Sequence, residues 1–256
     1  MARRTKLMPL LAVMVAGIAL FAALVLILRP GQAKESGPLL QYPPEQPAPT
    51  IGPNPTLPAG LASGPLFVAD FTTAESLSDW QLVELDFTMP GENANWVIDN
   101  GRLRQDFTGE LRSSLLHEVA ALAPGVYSNG VVRVSFYDEA NGVVGLIAHY
   151  QGEPGYESSY YRLRLLKNEY EATPKYRLDK VVEGVVFELG TVEGPGFVPQ
   201  QWNVIELEFR NGTLLARLNG KLLMHATDTE PLPAGKVGVY TLAIGGIFFD
   251  DFIVGQ

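Results

Sequence analysis

The residues best suited to chemistry in this 256-residue chain form an aromatic and basic group between positions 150 and 177. In the run Tyr160–Leu166, Tyr160, Arg162 and Arg164 alternate with Tyr161, Leu163 and Leu165, so an extended strand puts the first three on one face. Tyr150, Tyr156 and Tyr176 stand in neighbouring segments, with Lys175 and Arg177 on the next strand. Tyrosine rings offer flat apolar faces for stacking against sugar C–H groups, and guanidinium forks bind anionic oxygens. The pattern predicts a ligand-binding face made of Tyr150, Tyr160, Arg162, Arg164, Tyr176 and Arg177. The competing expectation is that the arginines pair with Glu or Asp across the sheet, where each exposed pair contributes at most about 1 kcal/mol.

A second group is carboxylic. Asp70 lies near the first strand, and Asp250 and Asp251 near the last. If those strands pair, the three converge, and carboxylates with backbone carbonyls suit calcium, a hard cation that takes six to eight oxygens. The alternative is a pair of aspartates facing solvent at a strand end. Glu206 and Glu208 share a strand face that reads as solvated sheet surface. His117, His149 and His225 are far apart and show no metal-ligand spacing; a structural, partly exposed His149 beside Tyr150 fits best. The chain has no cysteine, which excludes disulfides, thiolate zinc sites and cysteine nucleophiles. It also has no Gly-x-Ser-x-Gly elbow and no glycine-rich phosphate loop. No cofactor is required by any of these patterns.

The elements that must position these residues are short strands. Five Asn-Gly pairs, at 100–101, 129–130, 141–142, 211–212 and 219–220, mark type I′ hairpin turns, because both residues accept positive φ. Val204–Arg210, Thr213–Leu218 and Lys221–Thr227 then form a three-strand meander. Val132, Val134 and Phe136 oppose Arg133, Ser135 and Tyr137, and Ile205, Leu207 and Phe209 oppose Glu206 and Glu208. Each strand has an apolar and a polar side, as in antiparallel sheets packed face to face. Ala74–Ser78 is the one short helical turn expected. Trp80, Trp96 and Trp202 are expected to plug the core. The Asn211-Gly212-Thr213 glycosylation sequon is explained by its hairpin. About a dozen such strands predict an all-β sandwich or jelly roll.

The runs GLIAHYQ, YYRLRL, QQWNVIELEFRNGTLLARLNGKLL, PLPAGKVGVYT and IFFDDFIV resemble the laminin-G and concanavalin-A-like jelly-roll superfamily. They are most similar to its 3-keto-disaccharide hydrolase-like domains, and the likeness spans residues 65–256. It implies a sandwich of two antiparallel sheets, Trp202 as a structural tryptophan, and any calcium as structural. It does not fix an activity, because lectins, glycosidases, lyases and structural modules share the fold. Glycosidases of this fold carry Glu-x-Asp-x-x-Glu along one strand. Glu84-Leu85-Asp86 begins that motif, but Met89 stands where its second glutamate belongs, so no catalytic residue is assigned.

The remaining sequence predicts how the domain is displayed. Residues 1–6 form a basic tail containing Arg3, Arg4 and Lys6, and Leu7–Leu28 is an uncharged apolar run. As a helix it covers roughly 33 Å, against a hydrocarbon core of about 30 Å. The preceding basic residues put the N-terminus in the cytoplasm and the rest outside. A signal peptide cleaved near Gly31-Gln32-Ala33 is the competing reading. Residues 29–64, with prolines throughout, predict a semi-rigid polyproline spacer. The chain carries −9 overall, but residues 65–256 hold 14 basic and 26 acidic side chains, a net −12. Such a domain is repelled by phosphate backbones, which excludes nucleic acid as a partner. The expectation is a single-pass, membrane-anchored, extracytoplasmic module that binds carbohydrate or a cell-envelope protein without catalysis. The alternatives are a glycoside hydrolase and a structural or assembly module.

Overall fold

Hairpin chemistry carries directly into the architecture. The computed structural model describes residues 65–85, 94–107, 117–139, 142–152, 157–169, 174–243 and 246–256. The expected membrane span, the proline-rich spacer, Asp86, Met89 and Tyr156 lie outside them. In chain order the strands are β1 (Phe67–Ala69), β2 (Gln81–Glu84), β3 (Ala94–Asp99), β4 (Arg102–Phe107) and β5 (His117–Leu122). There follow β6 (Gly130–Asp138), β7 (Val143–Gln151), β8 (Ser159–Leu165), β9 (Tyr176–Val182) and β10 (Val185–Val192). The last five are β11 (Asn203–Arg210), β12 (Thr213–Leu218), β13 (Lys221–Thr227), β14 (Lys236–Ala243) and β15 (Ile247–Gly255). One 3₁₀ turn, Ala74–Leu77, follows β1.

Asn100-Gly101, Asn211-Gly212 and Asn219-Gly220 make the predicted turns, with φ of 51° and 75°, 48° and 80°, and 51° and 76°. Glu183-Gly184 makes a fourth, at 48° and 77°, where no Asn-Gly pair signals it. Asn129-Gly130 does not turn the chain. Gly130 opens β6, and the Asn129 side-chain Oδ1 accepts a 2.8 Å bond from the Asn211 backbone N–H. Asn141 lies outside the described residues.

The strands form two antiparallel sheets, as predicted. The first has the order β13-β12-β11-β6-β15-β4-β3, with β1 also paired to β15; the second has the order β10-β9-β8-β7-β14-β5-β2. The first and last strands do pair, Phe67 opposite Val254. Along one edge, β15 joins β4 through Ile247–Phe249 and β1 through Phe252–Val254. Asp250 and Asp251 fill the interval between, where the β15–β6 register shifts and Asp251 adopts φ 52°.

Between the sheets lies a core drawn from Ala69 to Val254, including Val132, Val134, Phe136, Leu163, Leu178, Leu207 and Phe249. Burying each large apolar side chain contributes about 1.5–3 kcal/mol. Trp80 meets Phe252 edge-on at 5.0 Å and Phe71 at 5.4 Å. Trp96 also belongs to this core. Trp202 does not. It lies on the outer side of the first sheet, 5.7 Å from the Tyr137 ring and under the Arg102 guanidinium at 5.2 Å. Its neighbour Asn203 takes the inward position on β11, so period-two alternation turns Trp202 outward.

Candidate functional site

The second sheet carries side chains on both faces that water hardly reaches. One face packs into the sandwich. The other holds a separate apolar cluster of Val83, Ala120, Leu122, Ile147, Tyr160 and Tyr240 with their neighbours, and a charged network lies across it. Register places the parts. Arg162 on β8 stands opposite Asp179 on β9 and Ile147 on β7; Arg164 stands opposite Arg177 and Gly145. Tyr240 on β14 pairs with Gly145 and Ala120.

Gly145 is a close-approach position. A Cβ there would collide with the Leu163 carbonyl oxygen and come within 3.0 Å of Tyr240 Cδ1. Its absence lets the Tyr240 ring lie beside β7, and Arg162 crosses over that ring with its guanidinium carbon 5.6 Å from the centroid. Beyond the ring, Arg162 Nη1 bonds Glu118 Oε2 on β5, while Nη2 donates to Asp179 Oδ2 at 3.0 Å. Arg177 Nε donates to the other Asp179 oxygen at 2.5 Å. Arg164 lies 3.6 Å from Asp179 and 3.8 Å from Glu118. Three guanidinium groups thus share two carboxylates. Glu188 adds a peripheral contact to Arg177 at 3.9 Å.

Burial grades the network from floor to rim. Asp179 is 0% exposed and the Arg162 side chain 4%, whereas Arg164, Arg177 and Glu118 reach 22%, 31% and 20%. Burial opposes the charge on Arg162, but the Tyr240, Glu118, Tyr160 and Asp179 neighbours more than offset it and hold the group cationic. Burial raises the Tyr240 hydroxyl well above the ordinary tyrosine range, and Glu118 adds to the shift. Tyr160 is raised for the same first reason. The fully buried Tyr240 hydroxyl has no hydrogen-bond partner in the structure.

The sequence-predicted face is therefore assembled in part. Tyr160, Arg162, Arg164 and Arg177 share it, and Tyr150 stacks on Tyr160 at 5.9 Å. Tyr176 is a correction: it points into the sandwich core, because it alternates with Arg177 along β9. Lys175 is buried, its ammonium 3.4 Å from the Lys167 carbonyl. The predicted cross-strand pairing of the arginines is present; it is buried at Arg162 and Asp179 and partly exposed at Arg164, Arg177 and Glu118. Glu118, Asp179 and Tyr240 were not singled out from sequence. Asp179 had a signal, standing two residues from Arg177; Glu118 had none, since two strands separate it from Arg162.

The other candidates lie elsewhere. Glu84 pairs with the core-facing Val119, so it points away from the network. Glu206 and Glu208 grip Arg217 at 2.7 and 3.3 Å on the outer face of the first sheet. His225 is exposed on β13, and of His117 only its place in β5 is described. His149 sits at a β7 irregularity with φ 55°, between the rings of Tyr161 and Phe209, and its Nδ1 donates to the Leu232 carbonyl at 3.0 Å. Burial lowers its pKa, outweighing the carbonyl bonds from Leu232 and Ser128 that oppose the shift, so it is a neutral packing residue.

The predicted carboxylate convergence is incomplete. Asp250 senses the Asp70 charge, but Asp70 is exposed and accepts from the Thr72 amide and hydroxyl. Asp251 instead accepts from Ser135 at 3.4 Å. Among the described residues no three His, Cys, Asp or Glu side chains are grouped to hold a metal ion. The reason is local: the β15 irregularity sends the two adjacent aspartates to different partners.

No protein-family model and no curated protein matches this chain. Solved structures do. A Bacillus subtilis protein of unknown function with a galectin-like fold is 14% identical, with a TM-score of 0.57 over 76% of this chain and 96% of that one. A Bacillus licheniformis beta-glucanase is 15% identical, with a TM-score of 0.54 over 76% of this chain and 99% of that one. The carbohydrate binding module CBM66 from Bacillus subtilis is 11% identical, with a TM-score of 0.51 over 70% and 96%. At such identities the likeness carries the fold, a jelly-roll-like sandwich of two antiparallel sheets, and nothing about activity.

Proposed function

We propose that this chain is a non-catalytic carbohydrate-binding module whose ligand meets the outer face of the second sheet at Arg164, Arg177 and Glu118. One observation carries the reading: both carboxylates in the described network, Glu118 and Asp179, are held by arginines. Retaining glycosidases need two carboxyl groups about 5–5.5 Å apart, one free to attack and one to donate a proton. Carboxylates fixed in guanidinium forks serve instead as rigid acceptors for sugar hydroxyls, with the arginines as donors. Arg162, Tyr160 and Tyr150 support that surface from below. Fold neighbours that include a carbohydrate binding module and a beta-glucanase support a sugar-facing role.

In this reading the apolar run Leu7–Leu28 holds the module at a membrane and residues 29–64 space it outward. Protease shaving of intact cells that left residues 65–256 untouched would remove that part. The binding claim is tested on a glycan array probed with the full-length chain, including uronic-acid glycans, with and without calcium. We expect hits that weaken at least ten-fold in Arg177→Ala. Silence across the array overturns the assignment.

A second reading, an assembly module, draws on one feature. The edge strand β10 exposes Val185, Val186 and Phe187 at 57%, 44% and 51%. An apolar, unpaired edge is a template for adding a strand from an envelope partner. Loss of partner cross-linking in Phe187→Lys, with glycan binding absent, would favour it.

A further inference from the structure

Polar groups gather inside the core at one end of the sandwich. On the first sheet, Trp96 faces Gln105 across β3 and β4, Gln105 faces Ile247, and Ile247 faces Asp138, so the four form a row across four strands. Trp96 and Ile247 belong to the core cluster, which gives the row its inward direction. Gln105 and Asp138 are both 0% exposed and Trp96 is 6% exposed. Thr241, also 0% exposed, alternates with core-facing Val239 on β14 of the opposite sheet. It pairs with Val144, near the start of β7, and β7 follows the end of β6 where Asp138 lies; Thr241 is therefore at the same end as the row.

Trp96, Gln105 and Thr241 do not satisfy one another. Trp96 Nε1, both Gln105 amide atoms and Thr241 Oγ1 are buried without a hydrogen-bond partner. Leaving one such atom unpaired costs about 1–3 kcal/mol, so several together in a single core call for a guest. Trp96 and Gln105 are direct cross-strand neighbours, with Cβ atoms expected about 4.5–5.5 Å apart. The donor of one and the acceptor of the other still fail to meet. The atoms to be satisfied also decide the chemistry of the guest. An indole N–H and an amide NH₂ need an acceptor, the amide oxygen needs a donor, and the threonine hydroxyl takes either. A metal ion answers only the oxygens. Water answers all of them.

We infer that ordered water, bridging Trp96, Gln105 and Thr241, is a permanent internal ligand at this end of the sandwich. It joins the two sheets by hydrogen bonds where the rest of the core joins them by apolar contact. Water-¹⁷O relaxation dispersion of the purified protein tests this, because a water held longer than the protein's tumbling time adds a distinct amplitude. Wild type is expected to show that amplitude. Gln105→Met, nearly isosteric and lacking the amide, and Trp96→Phe, which removes the indole N–H with its ring, are expected to lower it by one or more water molecules. A wild-type profile without long-lived water, or an unchanged amplitude in either variant that keeps its near-ultraviolet circular dichroism, overturns the inference. Trp96→Phe keeps the test decisive if Gln105→Met fails to fold.

Discussion

The outer faces of the two sheets carry the same kinds of charged residue and treat them in opposite ways. On the first sheet Arg217 joins Glu206 and Glu208, with side chains 22%, 23% and 19% exposed. On the second sheet Arg162 joins Glu118 and Asp179, and arginine and aspartate are almost fully sealed from water. Residue type and strand spacing do not distinguish the two. What does is the depth of the neighbouring layer: Arg162 lies over Tyr240 and beside the Tyr150–Tyr160 stack, whereas Arg217 stands on an open strand surface. The same ion pair is a solvated ornament in one place and a desolvated framework in the other.

The strongest way to break this contrast is Arg162→Leu. Asp179, sealed from water, would lose one of its guanidinium partners, and removing one member of such a buried set costs about 3–5 kcal/mol. Urea denaturation should show a loss of that order, and a loss below about 1 kcal/mol would put the two faces on equal terms. Replacing Arg162, Glu118 and Asp179 together by apolar residues of similar volume should recover most of the stability, because desolvation then disappears along with attraction.

Asp250 sharpens the contrast from the other side, as a buried group on the mostly solvated face. Burial pushes its pKa up to about 6, with the Asp251 and Asp70 charges adding and the Asp251 amide and Arg102 opposing. A carboxyl that binds its proton more tightly when folded stabilises the fold below its unfolded value near 4, and that contribution is lost as pH rises through about 6. Stability should therefore fall between pH 4 and 6 in wild type and less so in Asp250→Asn. The variant should be more stable at pH 7 by about 1–3 kcal/mol. An asparagine keeps the acceptor for the Asp251 amide, now 2.8 Å from Asp250 Oδ1. Coincident pH profiles would show that the carboxyl is solvated like its neighbours. The smallest effect is expected for Arg217→Ala, at most about 1 kcal/mol and shrinking with added salt.

Much of the fold was legible because its signals are local. Alternation in Val131–Tyr137 and Tyr160–Leu166 and three of the Asn-Gly turns fix strands without knowledge of their neighbours. The network's floor depends on sheet order instead. Arg162 finds Glu118 only because β7 and β14 separate β8 from β5 and Gly145 leaves room for Tyr240. Trp202 was misplaced because a tryptophan beside a strand reads as core until the inward position of Asn203 is known. Tyr176 is different: strict alternation along β9 already sets it on the opposite face from Arg177, near as the two are in sequence.

One interior strand of each sheet comes late in the chain. β14 joins β5 to β7, and β15 joins β4 to β6, so β2 to β5 stay detached from the remainder until residues 236–255 are available. Until β14 and β15 have emerged from the ribosome the sandwich is unfinished, and its early hairpins wait for their anchors with apolar edges open to chaperones. Cooperative folding must wait for residues 236–255, and their loss would remove the seam of both layers at once.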